Sequence, residues 1–217
     1  MGTGIRESQS TQAGGLFLSL DGIDGTGKST QVRLLADWLR TRGRDVVTCV
    51  DPGGTPIGDA IRALVLDHRR DMSVPCEAML FMASRAELVA RVIRPALESG
   101  AVVLSDRFLL ATVVYQGHGG GMNIDELWRI GRFAADGIEP DVTIVLDLPI
   151  ELAERRRGRQ PDRLEQRDRE FHERVRQGFL AEARKRPDRI RVIDASESAD
   201  AVQERIRALV APLISDR

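Results

Sequence analysis

Five short apolar runs punctuate the chain, and longer segments with apolar residues at every third or fourth position fill the gaps between them. "LFLSLD" (16–21), "DVVTCV" (45–50), "AVVLSD" (101–106) and "DVTIVLD" (141–147) are nearly continuous, and "RIRVID" (189–194) is a weaker fifth. Runs of this length that do not alternate predict strands buried on both faces. Between the first two, Val32, Leu34, Leu35, Trp38 and Leu39 recur at helical spacing up to Gly43, which suits a C-terminal stop. Further helices are predicted over 57–66 and, as one long element with Pro75 in its first turn, over 75–98. Others are predicted near 108–117, 123–136, 149–157, 165–185 and 198–214. Strands alternating with helices predict an α/β fold with a mainly parallel sheet covered on both sides. Ligands in such folds sit beyond the carboxyl ends of the strands, where Asp21, Asp51, Asp106 and Asp147 fall. Two segments lack a packing pattern. Residues 1–14 are polar and rich in Gly, Ser and Thr, which predicts a disordered extension without the apolar stretch of a signal peptide. "ERRRGRQPDR" (154–163) has no apolar residue and contains Gly158 and Pro161, which predicts an exposed mobile loop.

Composition narrows the function classes. A chain of 217 residues with 42% apolar and 30% charged residues fits one globular domain, here residues 15–217. The formal net charge of −1 supplies no field for nucleic acid or an anionic membrane, and no apolar run approaches membrane-spanning length. No nucleic-acid or membrane partner is expected. Cys49 and Cys76 form no CxxC pair and read as buried free thiols in a reducing, cytoplasmic setting. The basic residues are almost all arginine; apart from Lys28 there is only Lys185. Lysine at position 28 therefore looks selected for its compact ammonium group.

That lysine ends the pattern Gly22-x-x-x-x-Gly27-Lys28-Ser29, which follows a predicted strand and opens a predicted helix. Glycines there allow backbone N–H groups to converge on phosphate oxygens at a helix N-terminus. The candidate nucleotide-binding loop comprises Gly22, Ile23, Asp24, Gly25, Thr26, Gly27, Lys28, Ser29 and Thr30, with Lys28 reaching outer phosphates and the Ser29 hydroxyl facing Mg²⁺. At another strand end, Asp106 is a candidate to hold a metal-bound water and Arg107 a second anion; alone, the two would read as a strand-end ion pair. Phe81 and Arg85 lie four apart on the long helix, so they share a face. An aromatic plane beside a guanidinium suits a planar heterocycle with a carbonyl edge, although Phe81 alone reads first as core. The arginine run reads either as solvated surface or as a cationic lid over transferring phosphoryl oxygens.

Together, "DGIDGTGKST", "DPGGTPIG", "LFMASR", "SDRF", "YQG" and "DRLE" resemble the thymidylate kinase family in order and approximate spacing, from about Leu16 onward. The resemblance implies a P-loop three-layer α/β/α fold with a five-stranded sheet, an arginine-rich lid at about 154–164, and a homodimer. It implies transfer of the ATP γ-phosphoryl group to dTMP with Mg²⁺. By the same resemblance Phe81 stacks on thymine, Arg85 bonds its exocyclic oxygen, and Arg107 holds the acceptor phosphate. Asp24 faces sugar and phosphate, Tyr115 crowds the sugar 2′ position, Gln116 lies near the base, and Pro52 occupies the turn after the second strand. Two positions depart from the pattern: Asp51 stands where glutamate is frequent, and Ala111 where serine is, leaving Thr112 as the nearby hydroxyl. Gly25 stands where some members carry a catalytic arginine, so Arg157 and Arg159, with Arg155 behind them, become candidates for that role. A kinase for another acceptor, a P-loop switch or nucleic-acid ATPase using "RRRGR", and an inactive relative are the competing readings.

Overall fold

The computed structural model describes residues 14–67, 69–156 and 163–215. The expected N-terminal extension, apart from Gly14, and Arg157 and Arg159 lie outside the described residues.

The five apolar runs form five strands: β1 (Leu16–Asp21), β2 (Val46–Val50), β3 (Val102–Asp106), β4 (Val142–Asp147) and β5 (Ile190–Asp194). All neighbours pair in parallel, in the order β2-β3-β1-β4-β5. Leu18 stands opposite Leu104 on one side and Val142 on the other. The continuous apolar runs suit the three central strands, which are buried almost throughout. The outer strands differ from the expectation of burial on both faces: β2 is half-buried and β5 buries only Ile190 and Ile193. An edge position explains this, because one flank of each faces no further strand.

The helices are α1 (Lys28–Thr41), α2 (Pro56–Leu66), α3 (Val74–Leu88), α4 (Arg94–Glu98), α5 (Leu109–Thr112), α6 (Ile124–Ala134), α7 (Ile150–Arg156), α8 (Arg169–Lys185) and α9 (Ala199–Ser215). Side-chain caps start several of them: Thr55 accepts from Gly58 N, Ser73 from Cys76 N, Asn123 from Glu126 N and Asp168 from Phe171 N. The long helix expected over 75–98 is continuous but irregular. A π-helical turn, Val89–Ile93, separates α3 from α4, and Pro95 follows it. Proline has no N–H for an i→i−4 bond, so the ladder widens just before it. The predicted helix 108–117 is likewise a short α5 followed by a π-helical segment, Val113–Gly119.

Sheet order locates the site. The chain leaves β1 for β2, across β3, and leaves β3 for β4, across β1. Connections diverge between the carboxyl ends of β1 and β3, and an open α/β sheet has its crevice at such a switch point. Asp21 and the glycine-rich loop end one of these strands, Asp106 and Arg107 the other.

The cysteines correct one expectation: Cys49 is only partly buried and Cys76, in the first turn of α3, is exposed. Position 76 falls on the helix face turned away from Ala78, Phe81 and Met82, which are buried.

Candidate active site

The glycine-rich loop turns from β1 into α1 through three glycines in the left-handed region of φ, Gly22, Gly25 and Gly27. Two of them also sit where no side chain fits. A Cβ on Gly22 would lie 2.4 Å from Leu146 O, and one on Gly25 2.2 Å from Ala153 O on α7. Gly25 therefore excludes an arginine at this position while α7 keeps its place. Lys28 is buried and folded back over the loop, donating to Gly22 O at 3.2 Å and Ile23 O at 2.9 Å, with Asp24 at 3.6 Å. Burial lowers the ammonium pKa, and the neighbouring Arg107 guanidinium adds to that shift. Thr26 ties the loop to Ile23 O, Thr30 faces the cleft, and Ser29 Oγ donates to Asp106 Oδ2 at 2.6 Å. The Ser29 hydroxyl and Asp106 carboxylate form a pair of hard oxygen donors, the type Mg²⁺ takes when phosphates and water complete its shell.

Arg107 is the hinge of the site. It is a non-glycine residue with φ +68°, a conformation costing about 1–3 kcal/mol that persists where surrounding contacts enforce it. Those contacts are visible. The backbone N–H donates to Leu20 O at 2.9 Å and Ser105 Oγ donates to Arg107 O. The guanidinium donates to Gly22 O at 3.0 Å and Asp24 Oδ1 at 2.6 Å, and to the Tyr115 hydroxyl at 3.2 Å. Tyr115 in turn donates to Asp24 Oδ2 at 3.1 Å. Burial alone would raise the Asp24 pKa, but the Arg107 and Lys28 charges outweigh it and hold the carboxyl well below its ordinary range.

Two clefts meet at this hinge, sharing Asp24, Arg62 and Arg107. The first is lined by the phosphate loop, Asp106 and, from α7, Arg156; Arg156 is also bonded to the carbonyls of Ala195, Ser196 and Glu197. The second runs between α3 and the Val113–Gly119 segment and collects Asp51, Pro52, Phe81, Arg85, Ala111, Thr112, Tyr115 and Gln116. The π-helical winding brings the consecutive residues Tyr115 and Gln116 to one cleft.

Arg85 is the largest fully buried side chain. Its Nε donates to Asp51 Oδ2 at 2.6 Å and its Nη2 to Thr112 Oγ1 at 2.8 Å and Phe108 O at 3.4 Å, while Nη1 meets Met82 Sδ at 3.1 Å. Of five N–H groups four are engaged, so one on Nη1 remains for a ligand. The shortened acid Asp51 thus reaches Arg85, and Thr112 supplies the hydroxyl beside Ala111. Pro52 follows a cis peptide bond.

Sequence reasoning missed several lining residues. Arg62 of α2 faces both clefts and donates to Pro52 O at 2.8 Å. Leu66 and Leu164 close over Phe81, and Phe81, Leu164 and Val65 form a small apolar cluster apart from the main core. Their signal is faint because they are scattered arginines and leucines on otherwise ordinary helical spacing; only Leu164, within "DRLE", stood in a conspicuous motif.

Known proteins resemble the chain along nearly its whole length. A family model described as thymidylate kinase matches residues 20–206. The thymidylate kinase of Symbiobacterium thermophilum is 48% identical over 204 residues, covering 93% of this chain and 95% of the relative. That of Rhodopirellula baltica is 48% identical over 195 residues, covering 90% and 80%. The crystal structure of thymidylate kinase from Ehrlichia chaffeensis superposes with a TM-score of 0.76 at 30% identity, covering 91% of this chain and 99% of that one. With the phosphate loop, the Phe81–Arg85 face and the Arg107 hinge gathered at one switch point, and with matches that span nearly its whole length, the chain belongs to the thymidylate kinase family.

Proposed function

We propose that this protein transfers the γ-phosphoryl group of ATP to the 5′-phosphate of dTMP, forming dTDP and ADP. The observation that carries the reading is the continuity of the two clefts at Asp24 and Arg107. A phosphate-binding loop opens there into a pocket with one aromatic face and one partly free guanidinium. ATP phosphates occupy the loop, and Lys28 exchanges its bonds to Gly22 and Ile23 carbonyls for phosphate oxygens. The acceptor base lies between Phe81 and the wall formed by Arg85 and Gln116, with Tyr115 against the sugar. Arg107 and Arg62, which face both clefts, hold the acceptor phosphate in line with the loop. In the transfer, an acceptor phosphate oxygen forms a bond to the γ-phosphorus as the bridging bond to the β-phosphate breaks. The acceptor is already an anion, so positioning and charge stabilisation dominate. Ser29 and Asp106 would hold Mg²⁺, which supplies positive charge toward the phosphates when bound.

Release of ADP measured across nucleoside monophosphates tests this. dTMP should give the highest kcat/KM, and its ribose counterpart a lower one through exclusion at Tyr115. Equal turnover of purine and pyrimidine acceptors would overturn the assignment.

A second copy of the chain is the proposed partner. Cys76, Met79 and Ala83 present an exposed apolar strip at helical spacing on α3, and Phe133 is 87% exposed on α6, which packs beside it. Among the described residues no helix is long and apolar enough to cross a membrane.

A further inference from the structure

Behind the base cleft lies a buried charged cluster that the reaction itself does not use. Glu77, in the first turn of α3, is 1% exposed. Its Oε1 accepts from Gln116 Nε2 at 2.7 Å. Its Oε2 accepts from Arg163 and lies 3.7 Å from the Arg167 guanidinium. Arg163 is itself anchored on α2, donating through Nε to Val65 O at 2.9 Å.

This cluster settles a question that Gln116 alone leaves open. A primary amide offers a donor at one end and an acceptor at the other, and it turns over at little cost unless a neighbour distinguishes the two. Glu77 is such a neighbour. A carboxylate flanked by two guanidinium groups only accepts, so the amide NH₂ must face it; the reverse orientation would set oxygen against oxygen. Gln116 Oε1 is therefore directed away from Glu77, and it is buried with no hydrogen-bond partner among the described residues. On the same cleft Arg85 retains one N–H. The residues lining one cleft thus include a donor on Arg85 and an acceptor on Gln116. That pair complements the O4 and N3–H edge of a 2,4-dioxopyrimidine and opposes the N4–H₂ and N3 edge of cytosine.

We propose that Glu77, which is not among the residues lining the base cleft, is a specificity-determining positioning residue: by fixing the Gln116 amide, it makes the site select pyrimidines that carry an N3–H. Arg163 and Arg167 hold the Glu77 carboxylate in place beside Gln116, so the segment that leads into α8 takes part in base selection. The inference rests on the functional reading above and deepens it.

Glu77→Gln tests it. The new amide can donate or accept, so Gln116 is free to turn over. The ratio of kcat/KM for dTMP to that for dCMP should fall about tenfold or more, since a site built to pair polar groups loses discrimination when its pairing is relaxed. dUMP, which keeps N3–H, should track dTMP. Glu77→Asp provides a second route: it retains the charge beside Arg163 but withdraws the carboxylate from Gln116, and the ratio should fall in the same way. Calorimetric titration with dTMP and dCMP, without ATP, reads the same selectivity as a ratio of Kd values. It does so even if wild-type protein proves inactive on dTMP, which would sink the functional reading and not this one. Thermal melts establish that each variant is folded. If either folded variant keeps the wild-type preference within twofold while its affinity for both nucleotides drops together, Glu77 serves only to hold the fold and the proposal is wrong.

Discussion

Asp21 ends β1 with its side chain fully buried and both carboxylate oxygens without a hydrogen-bond partner among the described residues. Burial pushes its pKa up to about 7, despite the opposing pull of Arg107 and Lys28, while Asp106 and Asp51 add to the rise. An aspartate in the unfolded chain titrates near 4. Between those two values the folded protein holds a proton that the unfolded chain releases. The contribution is complete below the unfolded pKa and is lost as pH rises through about 7. The slope from this one group is up to about 1.4 kcal/mol per pH unit in that window. Asn has nearly the same shape and cannot ionise. Relative to Asp21→Asn, the wild type should lose stability between about pH 4 and pH 7 and level off above that, as denaturant unfolding at fixed ionic strength would report. Parallel profiles for the two proteins would show that Asp21 stays ionised when folded. Asp24, three residues on, is held in the opposite direction, well below its ordinary range, because its burial is outweighed by Arg107 and Lys28. Neighbouring carboxyls on one loop are thus separated in proton affinity by how their charged partners are placed.

At the scale of elements, the phosphate loop and α7 are locked by the absence of a side chain at Gly25. A methyl there would lie 2.2 Å from Ala153 O in addition to the strain of φ +88°, whereas Gly27, with φ +92°, has nothing within 4 Å of its missing Cβ. Gly27→Ala therefore carries only the backbone strain, about 1–2 kcal/mol. Gly25→Ala carries that strain plus overpacking against rigid backbone, a further 1–3 kcal/mol or so. Equilibrium unfolding of the two variants measures the difference, and equal losses would show that α7 yields freely. The loop was legible in the sequence because phosphate binding demands glycines at set spacing, and the strands were legible because central positions in a parallel sheet demand uninterrupted apolar residues. Phe81 and Arg85 were legible as a pair because helical spacing places them on one face. The π-helical turns were not, since one extra residue in a turn leaves the apolar pattern nearly unchanged; Pro95 was the one local hint of the first. Glu77 escaped notice because its partners Gln116 and Arg163 stand 39 and 86 residues away in the chain; Arg163 stood within a quoted motif, but nothing local pointed to Glu77 as its partner.

Strand order belongs to the whole molecule, and no local pattern announces that β3 lies between β1 and β2. Once that order is in place it puts the β1 and β3 carboxyl ends side by side, so the glycine-rich loop, Asp106 and Arg107 share one crevice with Asp21 buried behind it. The same assembly leaves an outer face unaccounted for. Buried positions on α3 include Glu77, Ala78, Phe81, Met82 and Arg85, while Cys76, Met79 and Ala83 face away. Met79 is 43% exposed, and an apolar strip of this kind on a helix is the usual place for another helix to pack. If two copies meet along α3, the residues proposed to bind the base and the subunit contact occupy opposite faces of one helix, and dimerisation steadies the wall that carries Phe81 and Arg85. Sedimentation at micromolar concentration should then show a dimer, and Met79→Asp should shift it toward monomer by placing a charge in the contact. Cys76 supplies an independent readout within the same strip. Its reaction with a thiol reagent should be slow at micromolar protein and quicken on dilution or in the Met79→Asp variant, whereas Cys49, whose thiol pKa burial pushes up to about 11, should stay unreactive throughout. A wild-type protein that sediments as a monomer, with Cys76 labelling at one rate at every concentration, would leave the α3 strip as solvent-facing surface and remove the dimer from the account of this site.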